Sequence, residues 1–180
     1  MQKSLNLPNA LALFRIALAP LMLWFFIGRD SELFSSWHPT WFDYFAGLIF
    51  VIASITDFFD GYIARSWDQM TKLGSILDPL ADKMLILAGF IGLIAIDRAS
   101  VWAVFLILSR EFFITGLRVV AVGEGKSVAS TMAGKIKTVV QMIAIGFLIM
   151  NWPFATVLLW LAVLLTIYSG YEYTRDYFKI

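Results

Sequence analysis

Six long apolar stretches limit what this sequence can fold into. A stretch of about 20 apolar residues has the length and composition of a membrane-spanning helix. Because 60% of the 180 residues are hydrophobic and only 15% are charged, the balance is not that of a soluble domain. We therefore predict an all-α integral membrane protein, a bundle of about six transmembrane helices. The predicted spans are Ala10–Ile27, Trp41–Arg65, Gly74–Ile96, Val101–Val122, Ala129–Met150 and Phe154–Tyr173.

The connections between these spans are short, so the sequence offers no linker and no second domain. We predict one membrane domain over residues 1–180, with residues 1–9 as an interfacial lead-in. A cleaved signal peptide is the alternative for the first apolar stretch, which follows Lys3. Arg15 interrupts that stretch, and no small-residue cleavage site is clear before Arg29, so an uncleaved first span is favoured.

The basic residues predict the orientation of the spans. With the N-terminus on the inner side, ten basic residues fall inside and two outside, as the positive-inside rule requires. The inner ones are Lys3, Arg65, Lys72, Lys83, Arg118, Lys126, Lys135, Lys137, Arg175 and Lys179, and the outer ones are Arg29 and Arg98. The tryptophans near the outer interface are then Trp37, Trp41, Trp102 and Trp152. We therefore predict a bacterial inner-membrane protein with both termini in the cytoplasm.

Four aspartates lie at the cytoplasmic end of the second and third spans. Asp57 and Asp60 are three residues apart, and Asp78 and Asp82 are four apart, so each pair shares one face of its helix. If the two helices are antiparallel neighbours, all four carboxylates converge. Two unit charges about 5.5 Å apart repel by ~3 kcal/mol at an effective dielectric of about 20. Such a cluster must either take up protons or bind a cation.

The available ligand atoms narrow the choice of cation. The chain has no cysteine, and its one histidine, His38, lies in a polar connection, so the candidate ligands are oxygens. Oxygen-only sites select hard ions such as Mg²⁺, Mn²⁺ or Ca²⁺. A plainer interpretation is that each aspartate is solvated or paired with nearby Arg65 or Lys83. Four acids at helical spacing inside a membrane protein favour a functional site instead.

The aspartates belong to a longer pattern with glycines and an arginine. It reads Asp57-x-x-Asp60-Gly61-x-x-Ala64-Arg65, followed by Gly74-x-x-x-Asp78-x-x-x-Asp82. This pattern resembles the signature of the CDP-alcohol phosphatidyltransferases, whose six-span plan extends over the whole chain. The resemblance implies transfer of a phosphatidyl group from a CDP-linked lipid to an alcohol, release of CMP, use of Mg²⁺ or Mn²⁺, and a homodimer.

The resemblance also implies roles for individual residues. The metal ligands would be Asp57, Asp60 and Asp78, with Asp82 as general base, also close to the metal. The cytidine diphosphate pocket would be lined by Thr56, Gly61, Ala64, Arg65 and Gly74. Asn9 is a further candidate for the CDP headgroup, and its alternative role is that of a helix cap.

A second group of residues is the candidate site for the acceptor alcohol. Basic side chains in the fourth and fifth spans suit a dianionic phosphate, and Arg118 is predicted to approach the level of the aspartates. The alternative is that Arg110 pairs with Glu111 and that the lysines only follow the positive-inside rule. The candidate acceptor residues are Arg110, Thr115, Arg118, Lys135 and Lys137.

The identity of the acceptor depends on resemblance to one branch of the family. The segments NLPNALALFRI, SREFFITGLR and AGKIKT resemble the branch that uses glycerol 3-phosphate, although Ala12 stands where this branch often has threonine. Serine and inositol phosphate are the alternative acceptors. A divalent-cation transporter is a remote alternative, since it predicts acids spread through the membrane depth rather than gathered at one end.

Overall fold

The computed structural model describes residues 7–34, 36–66, 74–125 and 131–178, and over these residues it contains helices and no strand. Two short 3-10 turns, Gly28–Asp30 and Glu32–Phe34, follow the first helix. The predicted all-α fold is confirmed. The α-helices are α1 (Leu7–Ile27), α2 (Pro39–Ser66), α3 (Gly74–Ala95), α4 (Val101–Gly123), α5 (Met132–Ile149) and α6 (Ala155–Tyr177).

Four of these helices, α1, α2, α5 and α6, contain a stretch long and apolar enough to cross a membrane. The helices α3 and α4 have 22 and 23 residues, which is long enough to span. Every 18-residue window of each, however, carries three charged residues. These are Asp78, Asp82 and Lys83 in α3, and Arg110, Glu111 and Arg118 in α4. The protein is an integral membrane protein. Four of the charged residues in α3 and α4 are predicted site residues, namely Asp78, Asp82, Arg110 and Arg118.

Three helix ends differ from the predicted ones by three residues or more. The first helix begins at Leu7, inside the predicted lead-in, and α6 continues to Tyr177. The fifth helix begins at Met132 rather than Ala129, which lies outside the described residues. The cause is Thr131, whose side chain accepts a hydrogen bond from the Gly134 N–H at 3.1 Å and so caps the helix.

The helices form two compact units, residues 1–96 and residues 97–180. The prediction of one domain over residues 1–180 stays a prediction. In the first unit α1 packs along both α2 and α3, which contact each other at fewer positions. The buried residues of α1 recur three or four apart, as expected for one helix face. They are Asn9, Ala12, Arg15, Leu18, Ala19, Met22 and Phe26.

Close approach of α1 to α3 depends on Gly92. A Cβ atom at this position would lie 2.7 Å from Cγ of the fully buried Phe26 ring. Real Cβ atoms do not approach another carbon so closely, so only glycine leaves room for the ring. At the same end of the unit, Arg29 donates a hydrogen bond to Asp43 at 2.8 Å, which connects the 3-10 turn after α1 to α2.

In the second unit α6 packs against both α4 and α5. The guanidinium of Arg98 donates to the Ile149 carbonyl at 2.6 Å, so the start of α4 and the end of α5 lie at one end. The buried face of α6 is apolar in its first half and contains polar groups in its second half. Its members are Ala155, Leu159, Ala162, Val163, Thr166, Ser169, Gly170, Tyr173 and Tyr177.

Candidate active site

An arginine of α1 joins two of the predicted site aspartates. Nη1 of Arg15 contacts Oδ1 of Asp57 on α2, and it also lies 2.6 Å from Oδ1 of Asp82 on α3. The Arg15 side chain is fully buried, whereas the Asp57 and Asp82 side chains are 38% and 44% exposed. Two carboxylates from different helices are therefore within reach of one nitrogen, on a surface that a polar substrate can approach.

This arrangement refines the predicted convergence of α2 and α3. The sequence predicted that the two helices bring their carboxylates together as direct neighbours. In the structure α1 packs against both helices and supplies the charge that connects them. Sequence reasoning treated Arg15 only as an interruption of an apolar stretch. The spacing of Arg15 could have predicted that it is buried, because it falls on the same helix face as Ala12 and Ala19.

Asp78 lies one turn before Asp82 on α3, and one of its carboxylate oxygens is an unsatisfied hydrogen-bond acceptor within the described residues. Its Oδ1 is buried and accepts no hydrogen bond within the described part of the chain. Leaving a buried acceptor unsatisfied costs about 1–3 kcal/mol, and more for a charged group. The oxygen-only donor set and this buried acceptor fit a hard divalent cation.

The full ligand set remains a prediction. Among the described residues, no three His, Asp or Glu side chains form a group that can hold a metal ion. The fourth predicted ligand, Asp60, belongs to α2, but its side chain lies outside the described residues. The structure thus brings Asp57 and Asp82 together and leaves the metal-ligand roles of Asp57, Asp60, Asp78 and Asp82 as predictions.

The predicted nucleotide-binding residues are described in part. The Thr56 hydroxyl donates to the Ala53 carbonyl at 2.8 Å, and Gly74 is buried as the first residue of α3. Asn9 is buried and is the third residue of α1, so its alternative role as a helix cap is wrong. The side chains of Ala64 and Arg65, and the surroundings of Gly61, lie outside the described residues.

A second polar cluster connects the helices of the other unit. Lys137 of α5, only 4% exposed, contacts the carboxylate of Glu111 on α4. Arg110 also reaches Glu111, at 3.4 Å, and donates to the Ser169 hydroxyl of α6 at 2.9 Å. Two cations thus share one carboxylate. The pairing of Arg110 with Glu111, which was the alternative to an acceptor role, is present, and the same carboxylate also pairs with Lys137.

Of the other predicted acceptor residues, Arg118 and Lys135 are exposed and Thr115 is partly buried. The Arg118 guanidinium lies over the Tyr173 ring, 5.9 Å from its centroid, where a cation–π interaction is favourable. The Tyr173 hydroxyl is buried and makes no hydrogen bond within the described residues. Lys135 is exposed, and the Thr115 hydroxyl donates to the Glu111 carbonyl at 2.7 Å. Of the five predicted acceptor residues, the structure brings Arg110 and Lys137 together on one carboxylate.

Sequence reasoning missed the contribution of α6 to this cluster. Besides Ser169, it provides Gly170, where a Cβ atom would lie 3.1 Å from Cγ of Arg110. Gln141 of α5 donates to the Thr166 hydroxyl at 2.9 Å, one turn from Ser169 along α6. The sequence does contain a pattern that could have predicted this contribution, since polar and small residues recur at helical spacing in an otherwise apolar span.

Comparison with known proteins gives consistent matches over nearly the whole chain. The sequence model of the CDP-alcohol phosphatidyltransferase family matches residues 5–168. Similar proteins named CDP-diacylglycerol–glycerol-3-phosphate 3-phosphatidyltransferase occur in Bacillus subtilis (strain 168), at 44% identity over 93% of both chains, and in Rickettsia felis, at 37% identity over 94% of both. The protein of that name from Escherichia coli (strain K12) is 35% identical over 93% of this chain and 92% of its own.

Proposed function

This chain belongs to the CDP-alcohol phosphatidyltransferase family, and from that premise we propose its reaction. It transfers the phosphatidyl group of CDP-diacylglycerol to glycerol 3-phosphate, giving phosphatidylglycerophosphate and CMP in phospholipid biosynthesis. The observation that carries this proposal is the 44% identity to the Bacillus subtilis protein over 93% of both chains, since its name states both substrates.

The chain's own residues suit this reaction. A hydroxyl oxygen of glycerol 3-phosphate forms a bond to the lipid-side phosphorus, and the bond from that phosphorus to the CMP oxygen breaks. The hydroxyl proton goes to a carboxylate, the role we assign to Asp82, whose side chain is 44% exposed and thus open to an acceptor. The cationic side chains of Arg110 and Lys137 are of the kind that binds phosphate, and we propose that they contribute to binding the phosphate of the acceptor.

Members of this family generally use divalent metal ions. We propose Mg²⁺ or Mn²⁺, held by Asp57, Asp60 and Asp78 with Asp82 close by, because all four supply hard oxygen ligands. When bound, such an ion neutralises phosphate oxygens and stabilises CMP as the leaving group. The buried Oδ1 of Asp78 supports this assignment.

The proposed location is the bacterial inner membrane, with both termini and the aspartates on the cytoplasmic side. The lipid tails of CDP-diacylglycerol then stay in the bilayer while its headgroup reaches the ends of α2 and α3. Asn9, Thr56, Gly61, Ala64, Arg65 and Gly74 are the proposed residues for that headgroup. The homodimer that the resemblance implies stays a prediction.

The test is transfer by purified protein from CDP-diacylglycerol to radiolabelled glycerol 3-phosphate. Serine and inositol phosphate are assayed in parallel, with CMP release as the common readout. We expect labelled phosphatidylglycerophosphate and CMP with glycerol 3-phosphate alone. Faster CMP release with another alcohol would contradict the proposed acceptor while preserving the reaction class.

A further inference from the structure

The buried arginine of α1 makes contacts that the proposed reaction does not use. One nitrogen, Nη1 of Arg15, reaches Oδ1 of Asp57 on α2 and Oδ1 of Asp82 on α3. The arginine side chain is fully buried, whereas both carboxylates are partly exposed. A guanidinium buried in a membrane helix is costly unless carboxylates neutralise it. Arg15 therefore depends on residues that are also proposed metal ligands.

The two carboxylates depend on Arg15 in turn. Both have an oxygen within reach of the same nitrogen, so the two carboxylates lie close together and repel each other unless a cation lies between them. A divalent ion bound by the same carboxylates would provide the same neutralisation. Two cations at such short range repel each other, so the guanidinium and the ion are alternative counter-charges rather than additive ones.

We propose that Arg15 is an internal counter-cation, which holds Asp57 and Asp82 together in the metal-free protein and is displaced from Asp57 when a divalent ion binds. This inference rests on the metal site of the proposed function. Arg15 is a positioning residue, because it keeps α2 and α3 in place through α1 before the metal and the substrates bind. The attraction between its charge and the two carboxylates stabilises the metal-free site. The same attraction weakens metal binding, because the ion must compete with it.

The experiment measures Mn²⁺ affinity by calorimetry and the thermal midpoint without metal, using purified full-length protein. Arg15→Gln removes the charge and keeps a hydrogen-bonding group. We expect it to bind Mn²⁺ roughly tenfold more tightly or better, since the competing cation is gone. Without metal it melts at a lower temperature than the wild type, and saturating Mn²⁺ restores much of that loss. Arg15→Lys keeps the charge and binds Mn²⁺ with an affinity closer to that of the wild type.

Arg29→Gln is the matched control. Arg29 also lies in the first unit and pairs with an aspartate, but that partner is Asp43, which is not among the proposed metal ligands. The same substitution there lowers the thermal midpoint by breaking a partly buried ion pair and leaves Mn²⁺ affinity unchanged. A role in stability alone would make Arg15→Gln behave like Arg29→Gln.

The outcomes separate this proposal from the proposed function. Unchanged or weaker Mn²⁺ binding by folded Arg15→Gln protein would overturn the counter-cation role alone. A wild-type protein that binds no Mn²⁺ would overturn the metal site as well. If Arg15→Gln protein cannot be recovered in a folded state, NMR of the arginine guanidinium groups in the wild type tests the proposal instead. The Arg15 signal is assigned as the one that is missing from the Arg15→Lys variant. Mg²⁺ should shift the Arg15 signal and leave that of Arg29 in place, and an unmoved Arg15 signal overturns the proposal.

Discussion

Single residues in this protein have two kinds of electrostatic environment. Arg15 and Lys137 are buried in their helices and pair with carboxylates of other helices. Arg118 and Lys135 are exposed. A buried cation that already has a carboxylate gains less from a substrate phosphate than an exposed one does, because part of its charge is already neutralised. At this scale Arg118 is the residue whose removal should report most directly on acceptor binding.

Arg118→Ala should raise KM for glycerol 3-phosphate far more than KM for CDP-diacylglycerol. Losing a charge-assisted contact to a phosphate costs about 1.5–3 kcal/mol, which corresponds to roughly tenfold or more in KM. The measurement is steady-state kinetics with each substrate varied in turn. Equal effects on the two substrates would mean that Arg118 only packs against Tyr173.

Asp82→Asn should keep the fold and still bind CDP-diacylglycerol in the presence of metal. Its kcat should fall by about 10²–10⁴, the usual range for losing a general base. Asp57→Asn should instead weaken metal-dependent binding of CDP-diacylglycerol itself. The measurement is CDP-diacylglycerol affinity in saturating Mg²⁺, beside kcat, for both variants.

Two results would contradict this division of roles. If Asp82→Asn loses binding as badly as Asp57→Asn, Asp82 is mainly a metal ligand. If Asp82→Asn retains a near-normal rate, the acceptor proton goes to another group.

At the scale of the element, α1 has the largest structural role in the first unit. Its buried face contacts α2 and α3, and it carries the arginine that connects their carboxylates. The position of α1 against α3 depends on the space above Gly92, which the Phe26 ring fills. A shift of α1 would therefore move Arg15 relative to Asp82.

Gly92→Ala should lower the thermal midpoint of the protein in detergent. The added methyl group meets a fully buried ring, and overpacking of this kind costs about 1–3 kcal/mol. Gly146→Ala in α5 is the control, since a Cβ atom there meets nothing within 4 Å. We expect that variant to be neutral or slightly stabilised, because alanine is the better helix former. Equal midpoints for the two variants would show that α1 and α3 can move apart at little cost.

At the scale of the whole molecule, polar clusters lie within units built from apolar helices. The first unit contains the carboxylates and Arg15, and the second contains Arg110, Glu111 and Lys137. In each cluster, oppositely charged side chains of different helices pair directly inside the protein. Removal of a divalent ion should therefore affect the function of the whole protein before it affects its helix content.

Excess EDTA should abolish phosphatidyl transfer, and Mg²⁺ or Mn²⁺ should restore it while monovalent salt does not. The reason is that an oxygen-only site selects hard divalent cations. The measurement is CMP release after chelation and after each addition, with circular dichroism as the control for helix content. Full turnover in excess EDTA would contradict the proposed metal site.

The sequence by itself determined the helices and the spacing of the candidate residues. Span positions follow from the length of apolar stretches, and shared faces follow from the 3.6-residue repeat, both of which are local properties. Local spacing was therefore enough to group the four aspartates as candidates, whereas the roles of their neighbours followed from the family resemblance. The six helices lie close to their predicted positions. The predicted start of α5 was three residues too early, because Thr131 caps the helix immediately before Met132.

Only the tertiary structure decided which helix faces meet. In the structure α1 packs against both α2 and α3. This packing brings Arg15 to Asp57, which is 42 positions away in the chain, and to Asp82, which is 67 positions away. Likewise, Glu111 takes Lys137 as a partner 26 residues away, and Arg110 takes Ser169 of α6, 59 residues away. Helical periodicity places a side chain on a face, but the partner of that face is set by packing between distant segments, which no local pattern encodes.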